Sequence, residues 1–386
     1  MKIIKIATVF SGIGAVEFAL KRLGIKHKII FACDNGERDI TYDIQKEKKI
    51  VFSLKNAKQK KKYVDLLYEK NTRAQNYVQQ SYLANYKLVK KDNFFQDIIL
   101  LDGKDFENEV DLFVGGSPCQ SFSSVGSQGG LEDARGTLFY EFARLVKQIQ
   151  PKVFIYENVR NLLNHDNGKT WKIIKNIFDS LGYNYKYEVL NSSNFGIPQT
   201  RRRLFVVGYR KDLEFNFSFP SEIQDLKFKM KDFTINHCKE GYFTYNKKGE
   251  IVIKKLKGTV DEKYILGEKI YNYVMNSGTK TWRQTVKINL DIARTLLKTM
   301  GNRHRAGVDN YVSFDGTEKL GSVRMLTERE AHRLMGFTDD YKIVVSRSQA
   351  YKQAGNSIVV DVLMVIIKSI IETKVFERGG QNGDVC

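Results

Sequence analysis

The chain has 386 residues, and its 63 lysines and arginines against 44 aspartates and glutamates give a formal charge of +19. That length suffices for two domains with a sizeable core, and that charge favours a polyanionic partner, nucleic acid before an anionic membrane surface. Cys33, Cys119, Cys238 and Cys386 show no CxxC spacing, which argues against a zinc site or a disulfide framework and for a reducing, cytoplasmic setting.

Met1 to Lys5 carries no signal-peptide pattern. Ile3 to Phe10 reads as a first strand, Ser11-Gly12-Ile13-Gly14 as a tight turn, and Ala15 to Leu23 as a helix. A strand, glycine turn and helix bring backbone N–H groups close to a ligand. The alternative is a plain structural turn, since the full GxGxxG is missing. A second strand, Lys28 to Cys33, ends at Asp34-Asn35, where a carboxylate can accept hydrogen bonds from ribose hydroxyls or cap a helix.

Residues 46–95 differ in kind. They carry Lys58, Lys60, Lys61 and Lys62, then Tyr63, Tyr68, Tyr77, Tyr82 and Tyr86. Val64, Leu67 and Tyr68, then Val78 and Tyr82, fall at helical spacing, so the stretch reads as an inserted helical segment with a basic, solvated face. Asp97-Ile98 follows.

Asp111 to Val114 is a short buried strand that breaks at Gly115-Gly116-Ser117-Pro118-Cys119. Cys119 therefore sits on a loop past a strand end, where crevices lie in open α/β sheets. A lone cysteine is more often structural, yet one so placed is a candidate nucleophile. Gly126, Gly129 and Gly130 give the next loop the freedom of a lid. Leu138 to Gln150 reads as a helix and Val153 to Tyr156 as a strand, which ends in Glu157-Asn158-Val159. Trp171, Ile174, Phe178 and Leu181 mark an amphipathic helix. Tyr185 to Leu190 and Arg203 to Tyr209 read as the last sheet strands. Between them, Arg201 and Arg203 alternate onto one face and Arg202 onto the other.

After Asp212 the strand–helix alternation fades. Residues 216–325 are expected to form a smaller, mostly irregular and β domain. Leu326 to Gly336 returns to helix, and Ala354-Gly355-Asn356-Ser357 is expected to open one long final helix. Its apolar part, Ile358 to Ile371, is too short to span a membrane and reads as core. Residues 1–215 and 326–386 thus form an α/β unit with a Rossmann-like doubly wound sheet. Gly379 to Cys386 reads as a frayed tail.

Taken together these pieces resemble the C5-cytosine DNA methyltransferases of bacterial type. Phe10-Ser11-Gly12-Ile13-Gly14 is similar to the family's first cofactor motif, Asp34 to its ribose position and Asp97-Ile98 to its adenine-contacting pair. Gly116-Ser117-Pro118-Cys119-Gln120 resembles the nucleophile motif. Glu157-Asn158-Val159 and Gln199-Thr200-Arg201-Arg202-Arg203 resemble the two motifs that grip the base, and residues 324–336 and Gln353 to Ser357 the last two. The match covers residues 1–45, 97–212 and 321–372 in the family's order. Gly36 stands where the family often has Asp, and the 46–95 insertion is not covered.

The resemblance implies a class I methyltransferase fold, S-adenosylmethionine as cofactor and double-stranded DNA as partner. It implies that Cys119 adds to C6 of a cytosine flipped from the duplex, with Glu157 at N3, Arg203 at O2, Arg201 beside the thiolate or phosphate, and Asn158 holding the Glu157 loop. Phe10 to Gly14, Asp34, Asn35, Asp97, Ile98, Pro118, Asn356 and Ser357 would hold the cofactor. Ser123, Val125 and Gln199 would meet DNA near the flipped base. Thr295-Leu296 resembles the recurring dipeptide of the recognition domain, and Arg283, Arg303 and Arg305 are candidates to read guanine. The expected protein is a monomer near the nucleoid, working within a restriction-modification system or as a solitary methylase, with no stable complex with a cognate restriction endonuclease. The rival readings are a tRNA cytosine methyltransferase and a DNA-binding protein without catalysis.

Overall fold

The computed structural model describes residues 2–90, 92–118, 138–214, 216–223, 225–275 and 286–377. The expectations for Cys119, Ser123, Val125, Arg283 and the frayed tail lie outside the described residues.

Strands β1 (Ile4–Val9), β2 (His27–Cys33), β3 (Phe94–Phe95), β4 (Leu112–Gly115), β5 (Val153–Val159), β6 (Tyr183–Asn191) and β7 (Arg202–Arg210) form one sheet in the order β3-β2-β1-β4-β5-β7-β6. The first five strands in that order run parallel. β7 and β6 close the edge as an antiparallel pair. The inner strands β4 and β5 are mostly apolar and buried because both faces are covered, as a parallel sheet requires, whereas the edge strand β6 carries Asn184, Lys186 and Glu188. Ile4 and Ile6 join the apolar cluster of α1 (Ala15–Arg22) and α10 (Val360–Glu372). Ala7 and Val9, one residue out of phase, join that of α5 (Leu138–Ile149) and α6 (Lys169–Ser180). The doubly wound reading is correct.

The insertion holds three helices, α2 (Ile44–Ser53), α3 (Ala57–Asn71) and α4 (Tyr77–Asn85). Asp43, Asn56 and Asn76 cap them by accepting from backbone N–H groups of the first turn. The expected basic face is only partly free. Lys60 is 7% exposed and bonds Asp102 and Asp105 at 2.7 and 2.9 Å, while Lys61 pairs with Asp65 and Lys48 with Glu141. Lys58 and Lys62 remain exposed.

Residues 216–325 carry two small antiparallel pairs, β8 (Phe243–Tyr245) with β9 (Ile251–Ile253) and β10 (Tyr311–Ser313) with β11 (Val323–Met325), plus α7 (Glu268–Met275). Leu266, Val274, Val286, Ile288, Tyr311 and Val323 make a small core of their own. Phe233, Phe243, Leu296 and Val312 instead join the cluster of α10, so the smaller part is welded to the sheet domain. α8 (Glu328–Arg333) opens with a reciprocal cap between Thr327 and Glu330.

The final helix is not continuous. α9 (Arg347–Asn356) ends where the sequence suggested a start, and Ser357 to Val359 run extended into α10. Gly355 explains the placement: a Cβ there would lie 2.3 Å from Lys298 N, so the chain packs backbone to backbone. The stretch Arg347–Glu372 meets a length and hydropathy test for a membrane span. Its second half buries Val360, Leu363, Ile366, Ile367 and Ile370 completely, as a core helix does.

Candidate active site

At the end of β1, Phe10, Gly12 and Gly14 all take positive φ (51°, 52° and 78°). The turn is closed by Asp34. Its Oδ2 accepts from Gly12 N at 2.9 Å and its Oδ1 from Gly36 N at 2.8 Å. Burial pushes the Asp34 carboxyl above its usual range, against those two bonds. Ser11 stitches β1 to β2, accepting from Cys33 N at 3.0 Å. Asn35 Oδ1 turns the chain by accepting from Glu37 N.

A cavity of about 580 Å³ opens beside this turn, lined among others by Phe10, Asp34, Asn35, Asp97, Ile98 and Pro118. A smaller hollow adjoins Phe10, Ser11, Gly12, Gly116, Asn356 and Ser357. The structure therefore gathers ten of the twelve expected cofactor residues around two neighbouring spaces. Ile13 and Gly14 line neither. Ile13 is 1% exposed in the core, and Gly14 presses on Tyr86, whose ring carbon lies 2.2 Å from where a Cβ would stand.

Gly116, Ser117 and Pro118 leave β4 next to β5. Asn158 is buried, and its Nδ2 donates to Ser117 O at 2.9 Å and to Tyr156 Oη at 2.8 Å. Ser117 Oγ and Tyr156 Oη lie 2.7 Å apart. These contacts fix the chain two residues before Cys119. Gly116 packs so tightly on β5 that an added Cβ would stand 2.7 Å from Glu157 O and 2.9 Å from Glu157 Oε2. Burial pushes the Glu157 carboxyl upward, and the guanidinium groups of Arg203 and Arg201 pull it back. Arg203 Nε sits 3.2 Å from Glu157 Oε1.

Arg202 is exposed, as the alternation predicts, and Arg201 is 4% exposed. Arg201 grips main chain: its Nη1 donates to Leu296 O, and its Nη2 to Gly355 O and Ser357 O, at 2.8–3.0 Å. Burial, then Arg203, lower its pKa to about 9. Gln199 is fully buried, receiving Leu296 N on Oε1 and donating from Nε2 to Leu334 O. It is a strut of the fold with its amide engaged, not the exposed DNA contact expected from sequence. Thr295 donates to Thr200 O at 2.5 Å, so its dipeptide docks the smaller domain onto this loop. Arg303 is exposed, whereas Arg305 bonds Thr299 and Asp309.

A family model described as C-5 cytosine-specific DNA methylase matches residues 70–372. The chain belongs to the C-5 cytosine-specific DNA methylase family. It is 36% identical over 262 residues to type II methyltransferase M.HhaI of Haemophilus parahaemolyticus, covering 67% of this chain and 75% of that one. It is 34% identical over 309 residues to type II methyltransferase M.SsoII of Shigella sonnei, covering 77% and 72%. Among solved structures, the S. pombe Dnmt2 methyltransferase aligns with a TM-score of 0.63 at 17% identity, over 97% of this chain and 99% of that one. The Entamoeba histolytica methyltransferase EhMeth aligns at 0.59 and 15%, over 97% and 99%. Those two likenesses show the fold. As a member of its family this DNA methylase is a DNA (cytosine-5)-methyltransferase, and the tRNA and non-catalytic readings are not favoured.

Some residues of the methylase's site escaped the sequence reading. Tyr156 braces the segment before Cys119 through Ser117 and Asn158, yet it looks like any strand residue. Glu37, on the cavity rim, bonds Asn356 and salt-bridges Lys298 and Lys352, with no motif to announce it. Tyr42 and Tyr68 line the cavity as well. Tyr68 was visible only as a residue at helical spacing in the tyrosine-rich insertion, and Tyr42, just ahead of it, carried no signal.

Proposed function

We propose that the protein methylates C5 of a cytosine flipped out of a specific duplex DNA sequence, with Cys119 as nucleophile and S-adenosylmethionine as methyl donor. The contact that supports this reading is Gly116 against Glu157: the chain three residues before Cys119 packs on the Glu157 side chain, and Pro118 lines the cavity. C5 of cytosine is a poor nucleophile. Addition of the Cys119 thiolate to C6 turns the ring into an enamine and loads electron density onto C5. Charge then develops at N3. Glu157, biased toward its protonated form by burial, donates there. Arg203 fixes Glu157 and faces O2. Departure of the C5 proton lets the C6–S bond break and frees Cys119.

A stacked base is out of reach, so the cytosine is flipped. The 580 Å³ cavity is of the size that takes a nucleoside-bearing ligand. Asp34, Asp97 and Ile98 would hold its nucleoside and Phe10 to Gly12 its remaining part; bound, it supplies an electrophilic methyl group. Ser123, Val125, Arg283, Arg303 and Arg305 are assigned to DNA, and the likeness to type II methyltransferases supports a place in a restriction-modification system. The protein would act as a monomer on nucleoid DNA.

Purified protein given S-adenosylmethionine should protect cytosines in one short context of duplex DNA from bisulfite conversion and leave tRNA unmodified. Modified tRNA beside untouched duplex would overturn the substrate. Asp34→Ala should weaken S-adenosylmethionine binding by about 1–3 kcal/mol through lost charged hydrogen bonds. Unchanged affinity by calorimetry, in a folded variant, removes Asp34 from the site.

A further inference from the structure

The 42–95 stretch touches the expected cofactor site and the turn beside it at several points. Tyr86 donates to Gly14 O at 2.7 Å, Tyr82 to Glu17 Oε1 at 2.7 Å, and Asn76 Nδ2 to Asp34 O at 2.8 Å. Tyr42 and Tyr68 both donate to Asp97 Oδ2, at 2.7 and 3.1 Å. Ile99 N takes the other oxygen at 2.8 Å. Tyr68 is held in turn by the Arg38 guanidinium, 5.0 Å above its ring, and Arg38 bonds Asn35 O and Gln96. Tyr42, Tyr68, Arg38 and Asp97 form one continuous wall of the 580 Å³ cavity.

The chemistry of that wall is specific. An ionised carboxylate only accepts hydrogen bonds, whereas a protonated one also donates. Burial raises the Asp97 carboxyl, and the three converging donors oppose it. Burial, with the Asp97 charge beside them, also pushes both phenols up, so they stay protonated donors at neutral pH. The hydroxyls thus hold Asp97 in its acceptor form and stop it rotating. A purine bearing a ring amine meets an acceptor there, and a purine bearing a carbonyl is repelled.

We propose that Tyr42 and Tyr68 are positioning residues that set the affinity and the amine-over-carbonyl selectivity of this wall for the purine of the methyl donor, which makes the inserted helices part of the cofactor site. The proposal rests on the cofactor reading above. The test titrates S-adenosylhomocysteine and S-inosylhomocysteine into the full-length protein and its Tyr42→Phe/Tyr68→Phe double variant by calorimetry. The double variant should bind S-adenosylhomocysteine about tenfold more weakly, the scale of one weakened hydrogen bond between Asp97 and the purine amine, and its preference over S-inosylhomocysteine should shrink. KM for S-adenosylmethionine should rise by a similar factor, with kcat on saturating DNA within about twofold of the parent. Tyr63→Phe removes a comparable phenol–carboxylate bond, to Glu47 at 2.8 Å away from the cavity, and should change none of these. Equal affinity and equal preference in parent and double variant sink the proposal while leaving the cofactor reading intact. So does a fall in kcat alone, or the same loss from Tyr63→Phe, since either marks a general structural role. A parent that binds neither compound overturns the cofactor reading, and the proposal with it.

Discussion

A duplex carrying 5-fluorocytosine in the target site is expected to leave the protein covalently attached through Cys119. With fluorine at C5 no proton can leave after methylation, so the C6–S bond cannot break. The adduct should survive denaturing electrophoresis and reach full yield only with S-adenosylmethionine present. Cys119→Ser should form none, and its methyl transfer should fall by more than about 10⁴-fold, because a hydroxyl is a far weaker nucleophile than a thiolate. Cys33→Ser, Cys238→Ser and Cys386→Ser should each trap as the parent does. Burial pushes the Cys33 and Cys238 thiols above the ordinary cysteine value, which suits inert thiols. Trapping by Cys119→Ser, or a DNA-linked peptide holding another cysteine, would refute the assignment.

The second large effect is expected at Gly116. Its missing side chain lets the chain after β4 lie against β5, and an added Cβ would stand 2.7 Å from the Glu157 carbonyl. That neighbour is backbone in a sheet and cannot swing aside. Gly116→Ala must therefore shift the loop, Glu157 or both by a large fraction of an ångström. Reacting groups displaced on that scale cost on the order of 10²-fold in rate, while overpacking costs about 1–3 kcal/mol of stability. Single-turnover methyl transfer and thermal melting should separate the two losses. A variant that melts lower yet transfers methyl at the parent rate would show that the contact does not place the reacting groups.

The parts of the fold most legible in the sequence are those where one residue type answers to local geometry. The glycine turn after β1, the strand breaking into Gly-Ser-Pro-Cys, and Glu157-Asn158 at the next strand end all declare themselves through chain order and turn chemistry. Long-range choices were not legible. Period-2 alternation correctly separates Arg202 from Arg201 and Arg203. It cannot tell whether the Arg201 side meets a ligand or main chain, and in the structure Leu296, Gly355 and Ser357 supply main-chain partners. Gln199 belonged to a polar motif, yet it is fully buried because Leu296 and Leu334 converge on its amide from distant positions. Lys60 counted toward a basic face until Asp102 and Asp105, over forty positions away, enclosed it. The break after Asn356 follows from Gly355 meeting residues 297–298, a contact no local window contains.

Residues 216–325 also meet the sheet domain along a seam of main-chain groups. Ala293 meets Pro198 and Thr200 through main-chain N–H and C=O groups at 2.8 Å. Leu296 meets Arg201 and Gln199 the same way, through its own carbonyl and amide. Thr295 adds a side chain to this seam. Peptide groups are the same whichever side chains flank them. A seam built on them is largely blind to the composition of what it holds. The rest of the attachment is not of that kind: Phe233, Phe243 and Val312 pack their side chains into the cluster of α10, so a change at any of them is felt in the sheet domain itself.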